Sequence, residues 1–286
     1  MRSGKKRIRI VLAAVAALIM GWSPAVHALV EDTVRPSPAA QGDPDFRPRL
    51  GTYYYCFEFK GMSIGSACID IQREGDLYRM QVSARTTEKI DYVYKIRYQG
   101  QSLTDMDPLS PRETRISQKV KSKEKDIVIR FQGDGSIHTS EKVVRKGGPE
   151  DDELRRINPG RFTVDPFSAT YLARGYEWKT GSEQTFDVYT GKSRYELKLK
   201  CIDRVLVDVQ GSRRDAWVIV PSARALDPDK KPQDGKKKPA DVKIYLSADD
   251  RRDVLKVEAS HTMGTFLVSL DRFEPAGNLV KAAQAD

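Results

Sequence analysis

The chain has 286 residues, with 49 Lys and Arg against 40 Asp and Glu and a formal charge of +9 at neutral pH. Hydrophobic residues at 39% and charged residues at 31% exclude a multi-span membrane protein, a collagen-like chain and a disulfide-dense miniprotein. Five of the positive charges (Arg2, Lys5, Lys6, Arg7, Arg9) fall in residues 1–28 with no acid, so removing them leaves +4, an ordinary soluble surface rather than a nucleic-acid binder.

The first element is a tripartite secretory signal: the basic stretch Arg2 to Arg9, the uncharged apolar run Ile10 to Trp22, and the compact residues Val26-His27-Ala28. It predicts cleavage after Ala28 and release into the periplasm of a Gram-negative type envelope. The apolar run is shorter than the ~20 residues that span a bilayer, so no integral span is expected after cleavage. No Cys follows it, which argues against a lipid-modified N-terminus, and Ile8 separates Arg7 from Arg9, which argues against a twin-arginine signal. Residues 29–50 contain Pro36, Pro38, Pro44 and Pro48 among charged and small residues and read as a disordered tether.

From residue 51 to 274 a single β-rich domain is predicted, because alternation of apolar and polar residues with a period of two dominates. Strands are expected at Tyr53–Phe59, Ser66–Arg73, Leu77–Arg85, Tyr94–Thr104, Glu113–Ser122, Asp126–Phe131 and Ile137–Val144. The second half adds Thr185–Tyr189, Arg194–Ile202, Val205–Val209, Trp217–Val220, Val242–Leu246, Leu255–Ala259 and Thr265–Arg272. Asp134-Gly135 suits the positive φ values of a type I′ hairpin turn. Local hairpins of this kind predict a mostly antiparallel sheet.

Two short helices interrupt the strands. Thr87 to Tyr94 puts Ile90, Val93 and Tyr94 on one face behind Thr86 or Thr87 as N-cap. The stronger signal is Asp165-Pro166-Phe167-Ser168-Ala169-Thr170-Tyr171-Leu172-Ala173-Arg174-Gly175, with Asp165 as N-cap, Pro166 at the first helical position, Arg174 at the negative end of the dipole and Gly175 as terminator. Its apolar face, Phe167, Tyr171 and Leu172 or the stem of Arg174, needs a sheet to cover it. The expected fold is therefore mainly β, a large curved antiparallel sheet (half-barrel or open barrel) wrapping one or two short helices. Charged segments 142–160 and 221–240 read as solvated loops, and 275–286 as a C-terminal tail. The second loop carries Lys230, Lys231, Lys236, Lys237 and Lys238, which suit weak attraction to anionic lipid headgroups, offset by Asp227, Asp229 and Asp234.

Chemistry-bearing patterns are sparse. His138 and His261, the histidines left after the signal, lack partners at metal-ligand spacing, and no phosphate loop, nucleophile elbow or dinucleotide fingerprint occurs. No catalytic, cofactor-binding or metal residues are assigned. Ser122-Lys123-Glu124-Lys125 has the Ser-x-x-Lys spacing of some acyl enzymes but without companion motifs, and Asp249-Asp250 reads as a turn. Cys56 and Cys68 flank a connection centred on Met62. An odd-numbered loop there would set them face to face in a hairpin, and a Cys56–Cys68 disulfide is expected in an oxidising compartment, whereas an even loop would stagger them. Cys201, in the alternating series with Leu197 and Leu199, reads as a small buried hydrophobe.

Taken in order, the hairpin with Gly61 and Gly65, Ala84-Arg85-Thr86-Thr87, Asp165 through Arg174, Gly211 with Ala216-Trp217, and Ile244 to Leu246 with Asp250-Arg251-Arg252 resemble the bacterial exported proteins grouped as domain of unknown function 3108. The resemblance spans Gly51 to Phe273, with Tyr245 where Trp is expected and Asp253 where Pro is expected. It implies an envelope protein without an established activity and a strand pattern similar to the half-barrel of outer-membrane lipoprotein carriers, which can shelter acyl chains. The leading expectation is a non-enzymatic periplasmic protein that binds a lipid, acyl chain, lipoprotein or other envelope partner on the concave face. The alternatives are a protein-interaction or regulatory module with a filled core, and an envelope-polymer hydrolase acting through Asp249 or Asp250.

Overall fold

The computed structural model describes residues 46–226, 241–261 and 264–277. The predicted signal with its cleavage after Ala28, the tether up to residue 45, the lysines of 230–238 and the tail from residue 278 lie outside them. The first half of the domain forms β1 (Gly51–Phe59), β2 (Met62–Glu74), β3 (Leu77–Thr86), α1 (Glu88–Tyr94), β4 (Ile96–Asp105), β5 (Pro111–Val120), β6 (Lys123–Phe131), β7 (Ile137–Arg145) and β8 (Glu150–Ile157). After α2 (Pro166–Gly175) come β9 (Glu183–Tyr189), β10 (Arg194–Val209), β11 (Ser212–Ala225), β12 (Asp241–Ser247), β13 (Val254–His261) and β14 (Gly264–Pro275).

All fourteen strands join one antiparallel sheet in the order β8-β7-β6-β5-β4-β3-β2-β1-β14-β13-β12-β11-β10-β9. Each strand neighbours the next in sequence, except that β1 pairs with β14 and α2 carries the chain from the β8 edge to the β9 edge. The sheet is curved and open. Register shifts at Tyr54/Tyr55, Phe57/Glu58 and Cys201/Asp203 insert bulges that increase twist and bend the strands. At the open seam, side chains and one carbonyl stand in for a ladder: Thr139 donates to the Tyr189 hydroxyl (3.0 Å), Tyr189 to the Gly191 carbonyl (2.9 Å), and Arg155 to the same carbonyl (3.1 Å).

Five expectations need correction. Segment 142–160 is not a loop: β7 runs to Arg145 and β8 occupies Glu150–Ile157 as an edge strand with both faces wet, held by Lys142–Glu150, Arg145–Asp151 and Arg155–Glu141 ion pairs. Segment 221–240 begins as strand, since β11 continues to Ala225, and 194–209 is one bulged strand rather than two. The tether is anchored at its end, where Phe46 is buried against Gly175 and Arg49 pairs with Asp253. The Asp134-Gly135 connection also differs from a type I′ turn: of the two, only Gly135 has positive φ, and Gln132 bonds both Gly135 and Ser136 across a three-residue loop.

The cysteines are not bridged. The β1–β2 connection is the two-residue turn Lys60-Gly61, and the bulge beside Phe57 then shifts the register, so Cys56 faces Ser66 and Cys68 faces Tyr54. The two cysteines are diagonal neighbours whose Cα atoms lie about 7–8 Å apart in such a ladder, at or beyond the ~7 Å Cα reach of a disulfide. All three cysteines are free, Cys68 lying 3.1 Å from the Ser83 hydroxyl and Cys201 fully buried.

Candidate functional site

The inward face of the sheet is built from cross-strand rows of apolar side chains. One row runs Phe57, Val268, Val257, Ile244 and Ile219 across β1, β14, β13, β12 and β11. Another runs Tyr55, Ala67, Ala84 and Tyr98 across β1 to β4. Between these rows and α2 lies a cavity of about 340 Å³, within the usual size range of small-molecule sites. Ala67, Ile69, Val82, Leu197, Ile244, Val257 and Val268 line it and remain only half-buried, although they point inward. Small Ala67 between bulky Tyr55 and Tyr98 leaves part of this space.

Helix α2 closes one end of the cavity and is pinned at both of its own ends. At its start the fully buried Asp165 carboxylate accepts from the amides of Phe167 (2.8 Å) and Ser168 (3.2 Å) and from the hydroxyls of Ser168 (2.6 Å) and Ser102 (3.3 Å). Burial pushes its pKa up, against those hydrogen bonds. Thr104 of β4 meets the Ser168 hydroxyl at 3.0 Å. Phe167 lies over Gly100, Tyr171 stacks on Tyr78 at 5.6 Å between centroids, and Leu172 joins a second apolar cluster with Phe186, Leu199 and Cys201. The helix thus wedges between the two flanks of the sheet.

At its other end, buried Arg174 donates to the carbonyls of Arg251 (3.1 Å) and Arg252 (2.8 Å), to Asp253 (3.2 Å) and to the Tyr53 hydroxyl (3.1 Å). Asp253 is 1% exposed and also accepts from Tyr53 (2.8 Å) and Arg49 (3.0 Å). Sequence reasoning noted Asp253 only as a departure from an expected Pro; here it is the carboxylate around which a phenol and three arginines converge, Arg214 at the longer distance of 3.9 Å. Arg174 and Tyr53 also line the cavity, so this network forms its polar floor.

The hydroxyl of Tyr98 is a further polar group at the cavity. Tyr98 is 2% exposed and lines the space, and its hydroxyl makes no hydrogen bond among the described residues. Burial, with the charge of Asp165, pushes its pKa up, so it stays a neutral donor.

The other candidate residues do not converge. Asp249 sits in the β12–β13 turn outside the cavity and bonds Ser247 (2.7 Å) and Arg214 (3.3 Å). Burial raises its pKa, but Ser247 and Arg214 outweigh this and leave it lowered, the opposite of what a general acid needs. Lys125 of the Ser-x-x-Lys run is paired with Glu141 at 2.9 Å. His138 lies on β7 with its ring 3.3 Å from Ser136. Among the described residues no His, Cys, Asp and Glu cluster has metal-site geometry, and no helix is long and apolar enough to cross a membrane.

Fold and site define a protein built on an open, curved antiparallel sheet that encloses an apolar cavity plugged by a helix. The chain belongs to the family described as "Protein of unknown function (DUF3108)", which it matches over residues 52–271. No curated protein matches it. Among solved structures it is similar to a beta-barrel-like protein of domain of unknown function DUF1849 from Brucella abortus, at 10% identity over 81% of this chain and 98% of that one with a TM-score of 0.48. It is also similar to the hypothetical protein CT021 from Chlamydia trachomatis, at 9% identity over 81% and 89% of the two chains with a TM-score of 0.29.

Proposed function

We propose that this protein is a non-catalytic binding protein of the bacterial cell envelope that shelters an acyl chain, carried by a lipid or lipoprotein, on the concave face of its sheet. The observation that carries this reading is the row of inward-pointing but half-exposed apolar side chains around a cavity of about 340 Å³. A core meant only for packing would close on them, since each half-exposed aliphatic side chain forgoes about half of the roughly 1.5–3 kcal/mol that full burial is worth. An acyl chain lying against Ile69, Val82, Val257 and Val268 would recover that energy. The export signal read in residues 1–28 supports an envelope location.

The test is titration of delipidated protein with a fluorescent fatty acid and with a diacylated peptide. Saturable binding is expected, together with co-purifying lipid in protein from cells. Val257→Trp, which fills the cavity from the middle of a strand, should fold and lose the signal. Folded wild-type protein that takes up neither probe overturns the reading.

A further inference from the structure

The direction of the strands sorts their connections between two ends of the sheet, and the two ends differ in charge. At one end lie the turns 60–61, 121–122, 146–149 and 190–193 and the segment 87–95 with α1. These carry Lys60, Lys89, Lys95, Lys121, Lys146 and Lys192, all exposed and none in an ion pair among the described residues. Their acids are only Glu88 and Asp91, and Asp91 is already held by Arg97. The turns of the other end carry Asp76, Asp107, Asp134, Asp249 and Asp250 against Arg251 and Arg252, and α2 is pinned there through Asp253.

The cavity reaches the lysine end. Its lining includes Thr190 in a turn of that end, Tyr195 and Ala223 on β10 and β11, and Val242 at the start of β12. The same end bears unusual apolar exposure: Tyr92 is 95% exposed, Met62 61% and Val93 39%. Helix α1 packs Ile90 and Tyr94 against the core and turns Tyr92 and Val93 outward, and the Thr87 amide donates to the Ile64 carbonyl (3.0 Å), which seats the helix beside the strand that starts at Met62. Lys121 lies over the Tyr94 ring at 4.9 Å and Lys60 over the Phe59 ring at 5.7 Å, so their stems cover apolar surface.

We propose that this end docks on an anionic lipid bilayer, with the lysine turns at the headgroup level and Tyr92, Met62 and Val93 entering the interface. Charge complementarity selects the partner, because a ring of unpaired lysines is attracted to anionic headgroups and an exposed aromatic flanked by aliphatics suits the headgroup boundary. The orientation places the cavity end away from α2 against the membrane. The idea rests on the acyl-binding reading for its purpose, but its test does not.

The experiment is co-sedimentation of the mature protein with vesicles of phosphatidylglycerol and phosphatidylcholine or of phosphatidylcholine alone, beside uptake of a fluorescent fatty acid in vesicle-free solution. Binding to the anionic vesicles is expected, weakening at least about tenfold in 0.5 M salt because the charges are exposed. Lys89→Ala, Lys95→Ala and Lys192→Ala should each weaken it about fivefold, the usual share of one basic residue near such a surface. Tyr92→Ser should weaken it at unchanged salt dependence, and all four variants should keep wild-type fatty-acid uptake. Equal sedimentation with both vesicle types, no sedimentation with either, or wild-type binding by the lysine variants overturns the docking surface. Loss of fatty-acid uptake with vesicle binding intact instead overturns the acyl-chain reading.

Discussion

Phe167 of α2 rests on Gly100 of β4 so closely that a methyl group on the glycine would lie 2.5 Å from the ring. Gly100 has ordinary extended backbone, so the requirement is one of space alone. Gly100→Ala should destabilise the protein by about 1–3 kcal/mol through overpacking, and adding Phe167→Leu should restore part of it. Urea denaturation of the single and double variants measures the coupling. Additive effects would show that the ring can move away at no cost.

The network at the far end of α2 should be more sensitive. Asp253→Ala would leave Arg174 buried beside Tyr53 with only carbonyls to receive its charge. Breaking a buried pair in this way costs about 3–5 kcal/mol, whereas Asp249→Ala in the neighbouring turn should cost under about 1 kcal/mol. Thermal unfolding of both variants separates a structural carboxylate from a solvated one.

The hydroxyl of Tyr98 gives the cavity a polar group with no hydrogen bond among the described residues. Tyr98→Phe should weaken binding of a ligand bearing a carboxyl or ester oxygen by roughly 3- to 10-fold, the worth of one neutral hydrogen bond. It should leave a purely hydrocarbon ligand unaffected. Fluorescence competition with a fatty acid and with an alkane of equal length reads the difference.

Tyrosine burial predicts alkaline lability. Desolvation raises the phenols of Tyr53 and Tyr245 to about 12 and pushes up those of Tyr55, Tyr98 and Tyr171, against an unfolded value near 10. Because the folded state holds protons that the unfolded chain releases, this stability is intact below pH 10 and is lost as pH rises through about 12. Absorbance at the phenolate band should rise together with loss of structure; ionisation of all tyrosines before unfolding would contradict the burial.

The register of the first hairpin predicts three reactive thiols in denatured, unreduced protein, with Cys56 and Cys68 both available. A count of one would mean that the β1–β2 register differs from the one that sets Cys56 opposite Ser66 and Cys68 opposite Tyr54.

Much of the sheet was legible because its strands bury one face: Val242, Ile244 and Leu246, or Phe266, Val268 and Leu270, alternate cleanly. The α2 cap was legible too, since Asp165-Pro166 is a local signal. Strand β8 was not, because an edge strand wet on both faces can be written Glu-Asp-Asp-Glu and held by its ladder and ion pairs. The cysteine pairing was missed because the chain turns at Lys60-Gly61 rather than around Met62, and the one-residue bulge beside Phe57 recovers only part of that shift. The site was legible only as an inward apolar face. Joining Arg49 to Asp253, or setting Tyr98 free inside a cavity, depends on curvature that brings together residues far apart in sequence.

The pairing of β1 with β14 also fixes an order of events. Tyr53 finds Ile69 almost at once, but its other neighbour, Phe273, comes at the far end of the domain. The first eight strands can zip together while the chain is still emerging, and the remaining six can do the same among themselves. The floor of the cavity, which needs Tyr53 and Asp253 side by side, takes shape only when the two halves meet. A chain of this design keeps its apolar trough unfinished until nearly its whole length has been made available.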